Sequence, residues 1–471
     1  MKSLFKELKK YSQQDYYPFH MPGGKRNPKL DATGLPYGYD ITEIDGFDNL
    51  HHPLGLIREL EKRASKLFNS EETAISINGS TAGILSGIMG STNKGDKVLV
   101  GRNSHKSVYH GIVLNELIPV YLYPDYDQKM DVFFGVSPLE VEKLLDENPD
   151  IKAVIITSPT YEGVISGVKE IAIAVHKRGI PLIVDEAHGA HLGFGEGPSN
   201  SNLLGADIVI HSIHKTLPAL TQTALVHKNG TLVDWQKVKF YLQVFQSTSP
   251  SYILMSSIDV CISMLEEESI EGEFYEYYKL LIETRRRLGK LLHLKLFKPR
   301  HYEYDISKIL ISTKGTNYTG LELYNELLNK YNLQMEMAAG SHVLAMTSIA
   351  DTKDGFNRLV EALEEIDERI ERGHIDQTGW QFPKMEQVYK PSKGLTNANV
   401  VRKGSRFVKI RDSENCISKE FVYLYPPGSP LIVPGERINK RAVEILEQYS
   451  KLKYEIKGNN KPGEIEVLVD G

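Results

Sequence analysis

Between about residue 56 and residue 230, short runs rich in Val and Ile alternate with amphipathic segments. No other feature limits the fold so strongly. The runs are 98–101 (VLVG), 120–123 (VYLY), 153–157 (AVIIT), 181–185 (PLIVD) and 208–211 (IVIH). Between them lie helical patterns such as 168–178, stopped by Gly179, a residue suited to the position just past a helix end. Strands alternating with helices predict an α/β fold with a mostly parallel sheet covered on both faces. Residues 232–295 read as largely helical, with an Arg/Glu/Leu-rich stretch at 275–292. Residues 305–372 return to a mixture: a run at 308–313, a helix near 320–331, a run at 343–346 and a helix near 354–372. The remainder carries Gly379-Trp380, Pro426-Pro427-Gly428 and Val433-Pro434-Gly435, and reads as a short C-terminal α+β domain. The expected division is an arm (1–55), a large domain (56–295), a small α/β domain (296–375) and a C-terminal domain (376–471).

Composition narrows the function classes. The formal net charge of −5 gives no basic footprint for nucleic acid. There is no run of about 18 apolar residues, so no membrane span is predicted, and the first residues lack the apolar core of a signal peptide. The two cysteines, Cys261 and Cys416, form no CxxC pattern. A cytoplasmic protein is expected.

Three polar clusters sit where strands end. Asn78-Gly79-Ser80-Thr81-Ala82-Gly83 follows the apolar run 74–77 and opens a helix. Free N–H groups, the helix dipole and two hydroxyls there favour a phosphate dianion, although a plain N-cap uses the same residues. Val184-Asp185-Glu186-Ala187-His188-Gly189-Ala190-His191 closes a second strand, where open α/β sheets place ligands. A carboxylate buried at Asp185 needs a cationic partner. A protonated pyridine nitrogen is one; a helix N-cap and a His188/His191 metal pair are alternatives. The third cluster, Asp207 to Thr216, runs from a strand into His211-Ser212-Ile213-His214-Lys215-Thr216. Burial lowers a lysine's pKa, as Schiff-base chemistry requires, whereas a surface lysine would only snorkel to solvent. Asp185 precedes Lys215 by 30 positions. Phosphate cradle, pyridine-nitrogen acid and Schiff-base lysine, in that order, resemble the large domain of the aspartate-aminotransferase-like (fold type I) enzymes of pyridoxal 5′-phosphate (PLP).

Further segments resemble the Orn/Lys/Arg decarboxylase family, in its shorter form without the extra N-terminal wing domain. They are 19–27, 40–53 (DITEIDGFDNLHHP), 103–110 (NSHKSVYH), 157–164 (TSPTYEGV), 185–191, 212–216, 246–252 (QSTSPSY) and 426–436 (PPGSPLIVPGE). The resemblance implies roles for individual residues. Ser80 and Thr81 would bind the PLP phosphate, with Ser212 and His214 near it. His105 would stack on the ring, Asp185 would pair with the ring nitrogen, Ala187 would pack on the opposite face and His188 would lie close by. Lys215 would carry the Schiff base. Ser247 or Thr248 would reach a phosphate across a subunit interface, which implies a homodimer or a higher oligomer built on it. In the arm, Gly24 stands where the family has histidine.

The implied reaction is loss of the α-carboxyl group of a basic L-amino acid, with arginine favoured over lysine or ornithine, feeding polyamine synthesis. His188 or Lys215 would return the proton to Cα. The carboxylates offered for the substrate's distal charge are Glu43, Asp45, Glu162 and Glu436. The competing reactions are transamination or another PLP lyase reaction; a non-catalytic scaffold and a metal enzyme are more distant readings.

Overall fold

The structure, a computed structural model, describes residues 3–16, 18, 20–22, 25, 27–127, 129–130, 132–372, 397–424, 430–452, 454–458 and 460–469. The expectations on Gly24, on Gly379-Trp380 and on Pro426-Pro427-Gly428 lie outside them.

Seven strands form the main sheet: β1 (Glu72–Ser76), β2 (Lys97–Gly101), β3 (Ile118–Leu122), β4 (Ile151–Thr157), β5 (Leu182–Asp185), β6 (Ile208–His211) and β7 (Ala224–Lys228). Their spatial order is β1-β7-β6-β5-β4-β2-β3. The four pairs from β6 to β3 are parallel, as the alternation predicts. Side chains alternate across the sheet. Val98, Val100, Ile155, Ile183 and Ile210 enter one core, and Leu99, Val154, Ile156, Val184 and Val209 enter the core on the other face. Burial on both faces explains why these strands read as unbroken apolar runs.

β7 was not anticipated. It runs antiparallel to both neighbours, β1 and β6. Its five residues, ALVHK, carry no local sign of direction. The return from β6 to β7 matters for function, because the chain between them carries Lys215.

The helix Gly79–Ser91 lies close against the sheet, because its inner face is glycine. A Cβ at Gly83 would come within 2.8 Å of Val226 Cγ2, and one at Gly87 within 3.0 Å of Ile208 Cγ2. The helix Val168–His176 ends two residues short of the expected limit, and Gly179 follows with φ +67°.

A second sheet, entirely antiparallel, combines Lys295–Leu296, Lys308–Ser312, His342–Met346 and Met337–Ala339 in that order. The helices Gly320–Tyr331 and Lys353–Arg372 accompany it, the first opening with a Thr319/Glu322 capping box. The C-terminal part pairs Ser405–Lys409 with Glu464–Leu468 and adds the helix Lys440–Lys451.

Arg102, just after β2, is fully buried and joins this C-terminal part to the main sheet. Its guanidinium donates to both carboxylate oxygens of Glu436 (3.0 and 2.8 Å) and to the carbonyls of Pro430 (2.8 Å) and Leu431 (3.3 Å). Glu436 is therefore corrected as a substrate carboxylate: both its oxygens are occupied by a buried arginine.

β1, β6 and β7 also hold a buried polar chain. Thr73 Oγ1 lies 2.8 Å from His227 Nδ1, and His227 Nε2 lies 3.1 Å from His211 Nδ1. Burial, then the neighbouring His211, lowers the His227 pKa well below the usual imidazole value. In the unfolded chain that histidine takes up a proton near pH 6.5. Below that pH the unfolded state binds more protons, so the stability His227 contributes is complete above about pH 6.5 and is lost as pH falls. The urea midpoint is expected to hold steady from pH 8 to 7 and to drop below about pH 6.5. A midpoint unchanged down to pH 5 would refute this.

Candidate active site

Because β5 and β6 are parallel neighbours, the turns leaving their C-terminal ends meet. Lys215 Nζ lies 2.9 Å from His188 Nε2. Asp185 closes β5 at 3% exposure and accepts from the backbone N–H of Ala187 (3.2 Å). Burial raises its carboxyl pKa, against the opposing pull of Lys215. Burial lowers the Lys215 amine pKa; Asp185 acts in the other direction, and the cation of Lys308 adds to the lowering. His188 is held well below the ordinary imidazole value, first by burial and then by Lys215. It is therefore a neutral ring beside an amine whose charge is disfavoured.

His105 caps the helix Lys106–Leu114 through Nδ1, which accepts from Ser107 N (3.3 Å) and meets Ser107 Oγ (2.8 Å). Burial, then Lys215, pushes its pKa down to about 4. His214 Nδ1 lies 2.8 Å from the carbonyl of Thr223, a contact made by the antiparallel return into β7. That return also brings Gln222 to the first cluster: its carbonyl accepts from Gly79 N at 2.9 Å. Gly79 has φ +71°, and Asn78 supplies no side-chain cap to the helix that follows. The first-turn N–H groups beside Ser80 and Thr81 are thus left without a capping side chain.

These residues fit PLP. Ser212 Oγ and His188 Nδ1 are buried and have no hydrogen-bond partner among the described residues. A buried polar atom left unpaired is costly unless a ligand group meets it. An uncapped helix start suits a phosphate, and a buried carboxylate at a strand end suits a protonated ring nitrogen. Ala187 is buried in the same turn, at 4% exposure. His188 Nε2 faces Lys215, whereas His191 Nε2 faces Asp305 at 3.1 Å, so the two histidines have different partners.

The second sheet and the turn after β4 contribute residues that the sequence did not single out. Tyr161 packs its ring against His188, with centroids 4.6 Å apart, and its hydroxyl donates to Glu336. Glu336 lies near enough to Lys215 to favour the lysine's charged form. Tyr161 and Glu162 are the central residues of a turn closed by Gly163 N donating to the carbonyl of Thr160 (3.0 Å). Tyr161 meets His188, while Glu162 is buried with the Thr160 side chain as a hydrogen-bond partner, its carboxyl pKa raised by burial. The TSPTYEGV segment was the available signal, but it did not say which of the two neighbours faces the site. For Glu336 the local sequence offered none.

Four expected residues stand apart from this cluster in the single chain. Ser247 and Thr248 are exposed, and the Ser247 carbonyl lies 2.8 Å from His51 Nε2. Glu43 and Asp45 line a cleft of about 840 Å³ with Glu7, Phe47, Asp48 and Glu59. Lys215, Asp185 and His188 do not line it.

Residues 2–310 match the family model of the Orn/Lys/Arg decarboxylase major domain, and residues 376–463 match that of its C-terminal domain. The chain belongs to the Orn/Lys/Arg decarboxylase family. It is 33% identical to the uncharacterized protein YaaO of Bacillus subtilis, over 99% of this chain and 98% of that one. It is 30% identical to the arginine decarboxylase of the same organism, over 94% and 92%. The lysine decarboxylase LdcF of Francisella novicida superposes with a TM-score of 0.84 at 20% identity, over 99% of this chain and 81% of that one. The fold is that of the fold type I enzymes. The protein is an amino-acid decarboxylase, a carboxy-lyase whose family implies PLP. Among its described residues no helix is long and apolar enough to cross a membrane.

Proposed function

We propose that this decarboxylase removes the α-carboxyl group of L-arginine, with PLP held on Lys215. The observation that carries the reading is a neutral histidine, His188, 2.9 Å from the buried amine of Lys215 and beside the Asp185 carboxylate. Ser80, Thr81, Ser212 and His214 would hold the phosphate. His105 and Ala187 would flank the ring, and Asp185 would hold its nitrogen. Joined to a substrate amine, PLP supplies an electron sink for the bond broken at Cα.

The chain's own groups do the rest. Burial lowers the Lys215 pKa and so favours the neutral amine, the form that attacks a carbonyl. His188 Nε2 can take a proton from Nζ or return one, and either group can deliver the proton that replaces the carboxylate. Glu336, steered by Tyr161, offers a negative charge to the far end of a basic substrate. This assigns to Glu336 the part first given to Glu43, Asp45 or Glu162. Arginine is favoured because the relatives called arginine decarboxylase align over nearly the whole chain at 28–30% identity.

The assembly proposed is a homodimer. Ser247 and Thr248 are exposed, and the cleft at Glu43 and Asp45 is not lined by Lys215, Asp185 or His188, so a second copy could complete each site with them. The enzyme would work in the cytoplasm and its amine product would feed polyamine synthesis.

The test is a panel of L-amino acids with PLP present, following CO2 release and keto-acid formation together. CO2 release with the highest kcat/KM for arginine is expected; keto acid without CO2 would overturn the reading. Replacing Glu336 with glutamine should weaken an ionic hydrogen bond worth about 1.5–3 kcal/mol, raising KM for arginine by about 10- to 100-fold. An unchanged KM would remove Glu336 from the substrate site.

A further inference from the structure

The junction between the two sheets holds a buried charged cluster that the reaction above leaves unused. Asp305 Oδ1 meets His191 Nε2 at 3.1 Å and accepts from Ser307 N at 3.0 Å. Lys308 Nζ lies 3.5 Å from Asp305 Oδ2. His191, Asp305 and Lys308 are 2%, 1% and 0% exposed. Neither Lys308 Nζ nor Asp305 Oδ2 makes a hydrogen bond among the described residues. Burial alone would raise the Asp305 carboxyl pKa, yet the charges of His191 and Lys308 and the hydrogen bonds from His191 and Ser307 hold it below the usual range. Three buried ionisable groups are a poor device for stability alone, since desolvation offsets most of their attraction.

Their position gives them another use. Three stretches of chain meet here: the turn 160–163, the loop 185–191 and the segment 303–308. Asp305 N donates to the carbonyl of Gly163 (2.8 Å). The stem of Lys308 passes over Gly163, where a Cβ would come within 2.7 Å of its Cγ. The strand pair Glu303–Tyr304 and Val164–Ile165 fixes the same junction. His191 ends the loop that presents Asp185, Ala187 and His188, and it stands three residues after His188.

We infer that Asp305 is a positioning residue for the decarboxylation. It holds His191, and so fixes the loop that sets His188 against Lys215, while Lys308 supplies the countercharge that keeps this acceptor an anion. The inference rests on the reading of Lys215 as the cofactor lysine.

Two double variants test it, and neither leaves a lone buried cation. D305N/K308M removes both charges but keeps an oxygen that can accept from His191. D305A/K308M removes that acceptor as well. The readouts are the melting temperature without cofactor, PLP affinity, the visible circular dichroism of bound PLP, and kcat and KM for arginine. D305A/K308M is expected to lose about 10- to 100-fold in kcat, as for other groups that orient a reacting side chain. Its KM should stay within about threefold, with an altered visible dichroism. D305N/K308M should keep the native dichroism and a kcat about 10-fold or more above that of D305A/K308M; both variants lack Lys308, so its effect on the Lys215 amine cancels in the comparison. Equal kcat and dichroism in the two variants would overturn the inference, and so would a loss confined to KM. Should D305A/K308M fail to fold, D305N/K308M decides by its dichroism: the native spectrum of bound PLP supports the inference, and an altered one overturns it. Failure of the underlying reading looks different: the parent protein would then show no visible band with PLP at all.

Discussion

Replacing Lys215 with alanine is expected to abolish decarboxylation, lowering kcat by about 10³-fold or more, since both the covalent attachment point and a proton carrier go at once. The visible band that PLP gains on the parent protein should be absent. The fold should survive. Removing the Lys215 amine takes one hydrogen-bond partner from His188 Nε2 and one countercharge from Asp185, and burial already disfavours the Lys215 charge, so the loss is limited to these contacts. The melting temperature without cofactor is therefore expected to fall only modestly, by the loss of one buried hydrogen bond worth about 1–3 kcal/mol. Absorbance and CO2 release, measured on the same preparation, check both halves. A variant that kept the visible band would remove Lys215 from its assigned role.

Replacing Glu436 with alanine should give the largest loss of stability, about 3–5 kcal/mol, because it leaves the guanidinium of Arg102 buried and uncompensated. Arg102 is 0% exposed, and besides Glu436 it meets the carbonyls of Pro430 and Leu431, the Tyr109 hydroxyl (3.2 Å) and the rings of Tyr109 and Tyr121. The C-terminal part should come away from the main sheet before the rest unfolds, so limited proteolysis should cut it early. Replacing both partners, R102M/E436L, should recover most of the loss, since an apolar pair of similar volume needs no desolvation. A single variant with an unchanged urea midpoint would show that the pair is solvated. The prediction separates a structural glutamate from a substrate-binding one: if Glu436 met substrate, its loss would raise KM and leave the midpoint alone.

The parallel strands were legible almost to the residue. The runs at 153–157 and 181–185 were placed within two residues at each end, and 208–211 without error. Strands buried on both faces must be apolar throughout, and that pattern is visible in one sequence. β7 was not legible, because ALVHK pairs antiparallel only through the path of the chain, not through its composition. In the site, Asp185, His188 and Lys215 were legible because each ends or follows an apolar run. Glu336 and Asp305 were not. They come from the second sheet, and no local pattern links a carboxylate 121 positions past Lys215 to its amine.

The strand–helix alternation, the ends at which polar clusters gather and the family to which those clusters belong can all be read along the chain. These are local properties: the period of burial, turn chemistry and short motifs. Only the tertiary structure decided which carboxylates are free to act. It gave Glu436 to Arg102, set Tyr161 against His188, and brought Glu336 and the Asp305 cluster to the Lys215 site. A carboxylate's role depends on the charge and water around it. Those are fixed by packing between distant segments, and no spacing along the chain records them.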